Sequence, residues 1–420
     1  MVQRLANSPN DIKTMNNKVV TTMIGAAALS GAAYAGPAPV VAEEKSCGSW
    51  CDTLETIGTV YSSKENPYIQ KVKFFGRAQV QYAYVDASDV NGKDYHADFD
   101  EVRRLRFGGE VKFLNGFKLK ANANFEDDDK PSGGERKFGY QSFDQAKLSY
   151  TFKDFLGLEK SSVTYGRHKV ALGMEQHTSS KKIKTVERSG LANKLTDGRG
   201  TGVTFGAERG AWEGTLGFFS TDNSGELLTG WDEGVAFYAS TGYGFSCGDL
   251  LLDFMYNDQD TKTADSVLYD QVENYEWALS AAYMFDAAGW DFGLNAVYGD
   301  NGKQSKASRE GSFYGFIGLA TYKFWEDKLE LVGRYAWQGA SKDEGIRVNS
   351  RYLRRLETIS SDGDFNGGRG DSHHSLYGGL NWYMCGDRSK VMTGIEYDNL
   401  STEPGSVDGL TYWLAYRMYF

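Results

Sequence analysis

The chain has 420 residues, with 26 Tyr, 24 Phe and 50 Gly but only 6 Pro. That composition suits strands that are apolar on one face and polar on the other, and one large β-barrel accounts for this length as well as two or three soluble domains do. Past the first 35 positions no run of about 18 apolar residues occurs, which excludes helical membrane spans, and a net charge of −10 without a basic stripe or zinc-ligand spacing excludes a general nucleic-acid binder.

From Met15 onward the sequence reads as a secretory signal. Lys18 supplies the positive start, Val19 to Leu29 a short apolar stretch and Ala33-Tyr34-Ala35 a small-residue cleavage site, so residues 1–35 are expected to be a signal peptide with Met15 as its true start. Residues 36–70 carry Pro37, Pro39 and an expected helix around Cys51 to Tyr61, and are expected to form a periplasmic segment. Export places the cysteines in an oxidising compartment. Cys47, Cys51, Cys247 and Cys385 allow three pairings that spacing does not separate; disulfides or free thiols fit better than a metal site, because no histidine lies near Cys47 and Cys51.

From residue 71 to 420, period-two alternation predicts about sixteen strands. The first half holds 71–85, 101–113, 116–126, 142–152, 161–169, 200–208, 211–219 and 233–245, and the second 248–258, 275–286, 289–299, 312–324, 327–338, 372–385, 389–399 and 408–420. Brief connections such as LNG at 114–116, RG at 209–210 and WE at 325–326 alternate with long polar links such as 86–100, 127–141, 259–274 and 339–371. This asymmetry predicts an all-β, sixteen-stranded antiparallel transmembrane β-barrel with short periplasmic turns and long extracellular loops; a soluble sandwich has no reason to show it. Trp212, Trp277, Trp290, Trp337, Trp382 and Trp413 lie near strand ends, as interfacial girdles require.

Alternation also assigns the lumen, because successive side chains point to opposite faces. The last strand, LTYWLAYRMYF, turns its apolar row from Leu410 to Phe420 to lipid and Arg417 inward. The first three strands send Lys73, Arg77, Gln79 and Gln81, then Arg104, Arg106, Glu110 and Lys112, then Lys118, Lys120, Asn122 and Asn124 inward, and Lys147 follows on the fourth. Closure sets Arg417 beside the first strand, so one wall is basic. Elsewhere the inward rows are acidic or mixed, with Glu213, Asp253, Asp291, Glu330, Glu396 and Asp398 and one exception in Arg334. Cations on one wall and carboxylates on another give a transverse field.

The third outside link, residues 171–199, has six Lys or Arg against three Asp or Glu, while links 86–100 and 259–274 are acidic. A basic loop among acidic ones is expected to fold into the lumen as a constriction, where Lys181, Lys182, Lys184 and Arg188 replace part of the hydration of a passing anion; the alternative is a solvated surface loop. Enzymatic activity is not expected, since His168 with Ser162 is a weak pair without a third partner, and no cofactor is implied. In the seventh link, GGRGDS displays Arg369-Gly370-Asp371, a short adhesion-like match, and RYLRRLE at 351–357 reads as a solvated loop or a short helix touching lipopolysaccharide phosphates.

The stretches VRRLRFGGEVKFLNGFKLKANANFED, DQAKLSYTF, VTYGRHKVALGMEQ and KTVERS resemble the phosphate-selective porin O and P family of outer-membrane proteins. Arg103, Arg104 and Arg106, then Gly166, Arg167 and Lys169, then Glu187 and Arg188, hold the motif positions. The resemblance implies a sixteen-stranded barrel in the outer membrane of a Gram-negative-type bacterium, in contact with lipid and lipopolysaccharide, assembled as a homotrimer, with an inward third loop and passive anion uptake through arginine and lysine sites. The chain reads ALGME at 171–175 where the family has PFG-E, and its later strands lack a dense arginine ladder. The expected solutes are therefore small anions with phosphate among the candidates; the alternatives are a general diffusion porin and an adhesin displaying Arg369-Gly370-Asp371.

Overall fold

A computed structural model describes residues 49–126, 138–153, 155–196, 199–221, 226–227, 229–231, 234–258, 274–348, 351–360 and 362–420. The expected signal peptide, the segment up to residue 48 with Cys47, residues 127–137 of the second outside link and the link 259–273 lie outside the described residues.

Sixteen antiparallel strands close into a barrel. They are β1 Ile69–Ser88, β2 Asp94–Phe113, β3 Phe117–Glu126, β4 Phe138–Phe152, β5 Lys160–His168, β6 Gly200–Arg209, β7 Trp212–Ser220 and β8 Val235–Phe245, then β9 Gly248–Asn257, β10 Trp277–Ala287, β11 Trp290–Asp300, β12 Ser312–Phe324, β13 Leu329–Ala340, β14 Ser372–Tyr383, β15 Ser389–Ser401 and β16 Ser406–Tyr419. Closure runs through β16 and β1, with Tyr412 opposite Tyr84 and Arg417 opposite Gln79. Full closure leaves every backbone group of the wall a neighbour, which the hydrocarbon interior demands.

The alternation that defined the strands sorts their faces. Tyr82, Leu414, Leu216, Leu279 and Leu376 are exposed on the outer surface, while Gln79, Asn295, Glu330 and Arg417 are buried inside. Trp413 departs from its expected place in an interfacial girdle. It sits on the inward row of β16, only 3 % exposed, because its neighbours Tyr412 and Leu414 hold the lipid face.

β1 and β2 outrun the alternation-based bounds. Each has 20 residues, and they stay paired as far as Ser88 and Asp94, so most of the link 86–100 is strand. At about 3.3 Å per residue such strands are roughly twice the length a bilayer needs. The added part of β2, residues 94–100, reverses the usual sense: Asp94, His96, Asp98 and Asp100 alternate with Tyr95, Ala97 and Phe99, and it is the apolar row that is the more buried.

At the periplasmic end, helix α1 (Trp50–Thr56) is shorter than the expected helix and leads into a short strand, Thr59–Ser62, that pairs with β1 around Lys73. A disulfide between Cys51 and Cys385 and an ion pair between Arg388 and Glu55 (3.2 Å) hold this segment to the β14–β15 turn. Cys247 is an exposed thiol in the β8–β9 turn.

Candidate functional site

Two links fold into the barrel. The third is punctuated by α2 (Met174–His177) and α3 (Gly190–Leu195) and buries Leu172, Met174, Val186, Leu191 and Leu195. The Ser189 side chain caps α3 by accepting from Ala192 N–H (3.1 Å) and donates its own hydroxyl to Glu175 (2.5 Å). Hydrogen bonds then tie the link across the lumen. On the β16–β1 side Gln79 and Arg417 donate to Ser180 O at 3.0 and 3.2 Å, Arg77 donates to the Ser180 hydroxyl, and Arg417 also donates to Val186 O. On the far side Gly173 N–H donates to Asp253 (2.8 Å), Met174 N–H to Asn295 (3.0 Å), Lys184 to Glu330 (2.5 Å) and Lys390 to Ile183 O (3.0 Å).

The second inward link is the seventh, between β13 and β14, carrying helix α4 (Arg351–Ile359). The upper lumen beside β1, β2 and β16 is apolar, lined by Ala83, Val85, Phe99 and Trp413, all nearly inaccessible. The Tyr352 ring packs there, 4.8 Å from Phe99 and 5.3 Å from Trp413, and Leu353 and Leu356 are buried with it. Spacing at i, i+1 and i+4 puts these three on one side of the helix, and Arg354 and Arg355 line the cavity beside it. The expectation of a solvated loop or a short helix touching lipopolysaccharide is thus corrected: the segment is a helix, and burial of its apolar side draws it into the mouth. The adhesion-like tripeptide is corrected too. Arg369 and Gly370 pair with Ile346 and Arg347 in a two-residue ladder, Asp371 N–H donates to Ser401 O (3.1 Å), and Arg369 lines the interior cavity instead of a free loop tip.

Between the two links lies a cavity of about 780 Å³. Strands and third link contribute Arg77, Arg103, Arg104, Arg106, Arg167, Lys169, Arg188, Lys194 and Arg199, and the seventh link contributes Arg347, Arg354, Arg355 and Arg369. The carboxylates on its lining, among the described residues, are Asp144 and Glu187.

The carboxylates are engaged by neighbours. Asp144 accepts from Arg106 and Arg199, each at 2.7 Å, and from Asn122 at 3.0 Å, while Glu187 accepts from Arg103 (2.6 Å) and Gln81 (3.0 Å). Two bulges place residues that strict alternation hides. Between Gln79 and Val80 the register jumps from Arg104 to Val102, so Arg103 is the extra residue; between Asn122 and Ala123 it jumps from Gln145 to Phe143, so Asp144 is. A bulge re-aims a side chain locally, which is why both Arg103 and Arg104 reach the lumen. Gly166, at φ 120°, introduces the last turn of β5 before Arg167, and a Cβ there would lie 2.3 Å from Ala146 O.

A family model described as phosphate-selective porin O and P matches residues 72–289, more than half of the chain, including Arg77, Arg103, Arg104 and Arg106. The chain belongs to this porin family. Solved structures agree on the fold: the outer membrane channel DcaP of Acinetobacter baumannii (TM-score 0.53, 15 % identity, 86 % of this chain and 99 % of that one), a loop-deletion mutant of OmpT of Vibrio cholerae (0.54, 11 %, 83 % and 99 %) and an anion-selective porin from Comamonas acidovorans (0.52, 11 %, 83 % and 99 %). No curated sequence matches. The protein is a channel-forming porin of the Gram-negative outer membrane.

Within this porin the cations singled out from sequence fall into three places. Arg77, Arg104 and Arg106 line the cavity, with Arg104 donating to Gln79 (2.8 Å) and Arg106 to Asn124 (2.6 Å). Lys73, Lys112, Lys118, Lys120 and Lys147 lie off its lining, toward the short-turn end. There Lys112 faces Lys118, Lys120 faces Lys147, and Lys120 sits 5.1 Å over the Phe75 ring. Lys181 shares that ring and lies 4.3 Å over Tyr419; burial, with Arg77, Lys120 and Lys73 nearby, lowers its pKa to about 8. Lys182 is exposed.

The remaining three hold the loop. Arg417 is covered by the third link, Lys184 is spent on Glu330, and Arg188 donates to Glu175 O (2.7 Å) and Thr178 O (2.8 Å) while bordering the cavity. Burial lowers the pKa of Arg188 to about 10, so it stays charged. Arg103 was marked only by the family resemblance and Arg199 only by its place in the basic third link, while the contributions of Arg347, Arg354, Arg355 and Arg369 from the seventh link were not legible as lumen positions.

Proposed function

We propose that this porin is a passive channel for small anions, with phosphate among its solutes. The observation that carries the reading is the cavity between the two inward links, where, among the described residues, thirteen arginines and lysines meet two carboxylates that are already ion-paired. Focused positive potential raises the local concentration of anions and excludes cations. Guanidinium groups also match the paired oxygens of an oxyanion, an arrangement a point charge does not reproduce. Arg77 and Arg167 border the cavity, and Arg77 Nε and Arg167 Nη1 have no acceptor among the described residues. The third link acts in this reading as the constriction, and three copies assemble as the family resemblance implies.

The test is the reversal potential of planar bilayers under a potassium chloride gradient, followed by titration with inorganic phosphate. A chloride preference with phosphate-dependent reduction of the current is the expected result. A potassium preference removes the reading, and a chloride preference indifferent to phosphate reduces it to general anion diffusion.

A further inference from the structure

We propose that helix α4 of the seventh link is a second selectivity element, an outer arginine tier that favours divalent over monovalent anions before they reach the third link. The inference rests on the anion-channel reading and adds to it a named determinant and a charge class.

Three observations lead there. First, α4 is built into the mouth: Tyr352 sits between Phe99 and Trp413, and the apolar lumen wall it covers would otherwise face water. A channel meant only to be wide has no use for an apolar patch inside its rim. Second, the same helix sends Arg354 and Arg355 onto the cavity lining, where Arg347 and Arg369 of the same link join them. Among the described residues the seventh link contributes no carboxylate to that lining.

Third, the tier is keyed to the third link through one residue. Gln81 on β1 donates to Glu187 of the third link (3.0 Å), to the Tyr352 hydroxyl (3.0 Å) and to Glu101 (3.2 Å), and Tyr352 in turn donates to Glu101. The two arginine sets therefore face one cavity at a fixed relative position rather than as independent loops.

The attraction of a fixed cationic cavity for a solute scales with the solute's charge, whereas the cost of passing a given width scales with its size. Two opposed cationic tiers separate anions by valence more strongly than by radius. Sulfate against chloride is the direct probe, because it reports valence without the chemistry of phosphate.

The experiment measures, in planar bilayers of the full-length channel, the sulfate concentration that halves the chloride current. The comparison set is the native protein, R354Q/R355Q and R354K/R355K. Glutamine preserves helix propensity and leaves Tyr352, Leu353 and Leu356 in place. The half-blocking concentration should rise about tenfold in R354Q/R355Q, within the range that focused charge produces, while R354K/R355K, which keeps the charge, stays close to native. Folding is verified by the heat-dependent electrophoretic shift, and R355Q alone serves if the double variant does not fold. An anion-selective native channel whose sulfate block is unchanged in the glutamine variants overturns the tier and leaves the anion reading standing. Equal loss in the lysine variant also overturns it, since packing and not charge would then be responsible. Potassium selectivity of the native channel would fall on the reading beneath and take the tier with it.

Discussion

The wall made by β1 to β5 and the wall made by β9 to β15 both carry inward ionisable rows, yet they use them differently. On the first, arginines from strands and both links border an open cavity, whose lining among the described residues holds two carboxylates. On the second, four carboxylates are consumed as fasteners, and Asp291 near the β10–β11 turn stays exposed: Asp253 accepts from Gly173 N–H and His177, Glu330 from Lys184, Asn381 and Tyr383, and Glu396 from Arg334 and Ser375, while Asp398 pairs with His373. Acidic residues in a lumen therefore do not imply a cation path. Their burial under the third link removes them from the solute's view, and a field drawn from formal charges alone overstates the negative side.

The largest effect that tests this contrast comes from Arg334, which is inaccessible and donates to Glu175 (3.0 Å), Glu187 O (2.8 Å) and Glu396 (2.6 Å). Replacing it with Leu leaves buried carboxylates without their cation, a loss of about 3–5 kcal/mol. Denaturant unfolding should report it, together with unsteady single-channel current as the third link loosens. Unchanged stability would show that the far wall does not fasten the loop.

A smaller effect belongs to the open wall. R104Q/R106Q removes two lining cations while Arg199 still holds Asp144, and the chloride-to-potassium permeability ratio should fall about tenfold, in line with charge focusing, with a stability loss, from taking Arg106 off buried Asp144, smaller than that of the Arg334 variant. If stability falls and selectivity does not, the two walls have exchanged roles.

The smallest effect separates solute-facing from fastening lysines within the third link. Lys181 has its pKa lowered to about 8, so it is charged below that pH and neutral above it. Anion preference should decline between pH 7 and 9, and Lys181→Gln should flatten that part of the profile. Lys184→Met should leave the profile's shape alone and instead lower stability by about 1–3 kcal/mol, the cost of removing one partner of the buried Glu330. Identical pH profiles for native protein and Lys181→Gln would exclude Lys181 from the path.

Much of the barrel was legible because its signal is local. Alternation found all sixteen strands and the lumen side of Arg77, Arg104, Arg106 and Arg334, since side-chain direction along a strand needs only position parity. It missed Arg103 and Asp144, because a bulge breaks parity at a point that only the partner strand reveals. It could not separate Lys181 from Lys184, three residues apart in one basic run, since the difference lies in Glu330, which is far off in the chain. Nor could it foresee that RYLRRLE turns inward, because the apolar patch that receives Tyr352 is assembled from β1, β2 and β16.

The amino-acid order by itself determined a closed, lipid-facing barrel with a basic wall, because period-two amphipathicity and turn length are properties of neighbouring residues. Which charges remain available to a solute was decided by tertiary structure. Ion pairing and burial are set by distances across the lumen, and those exist only once two links have folded into it.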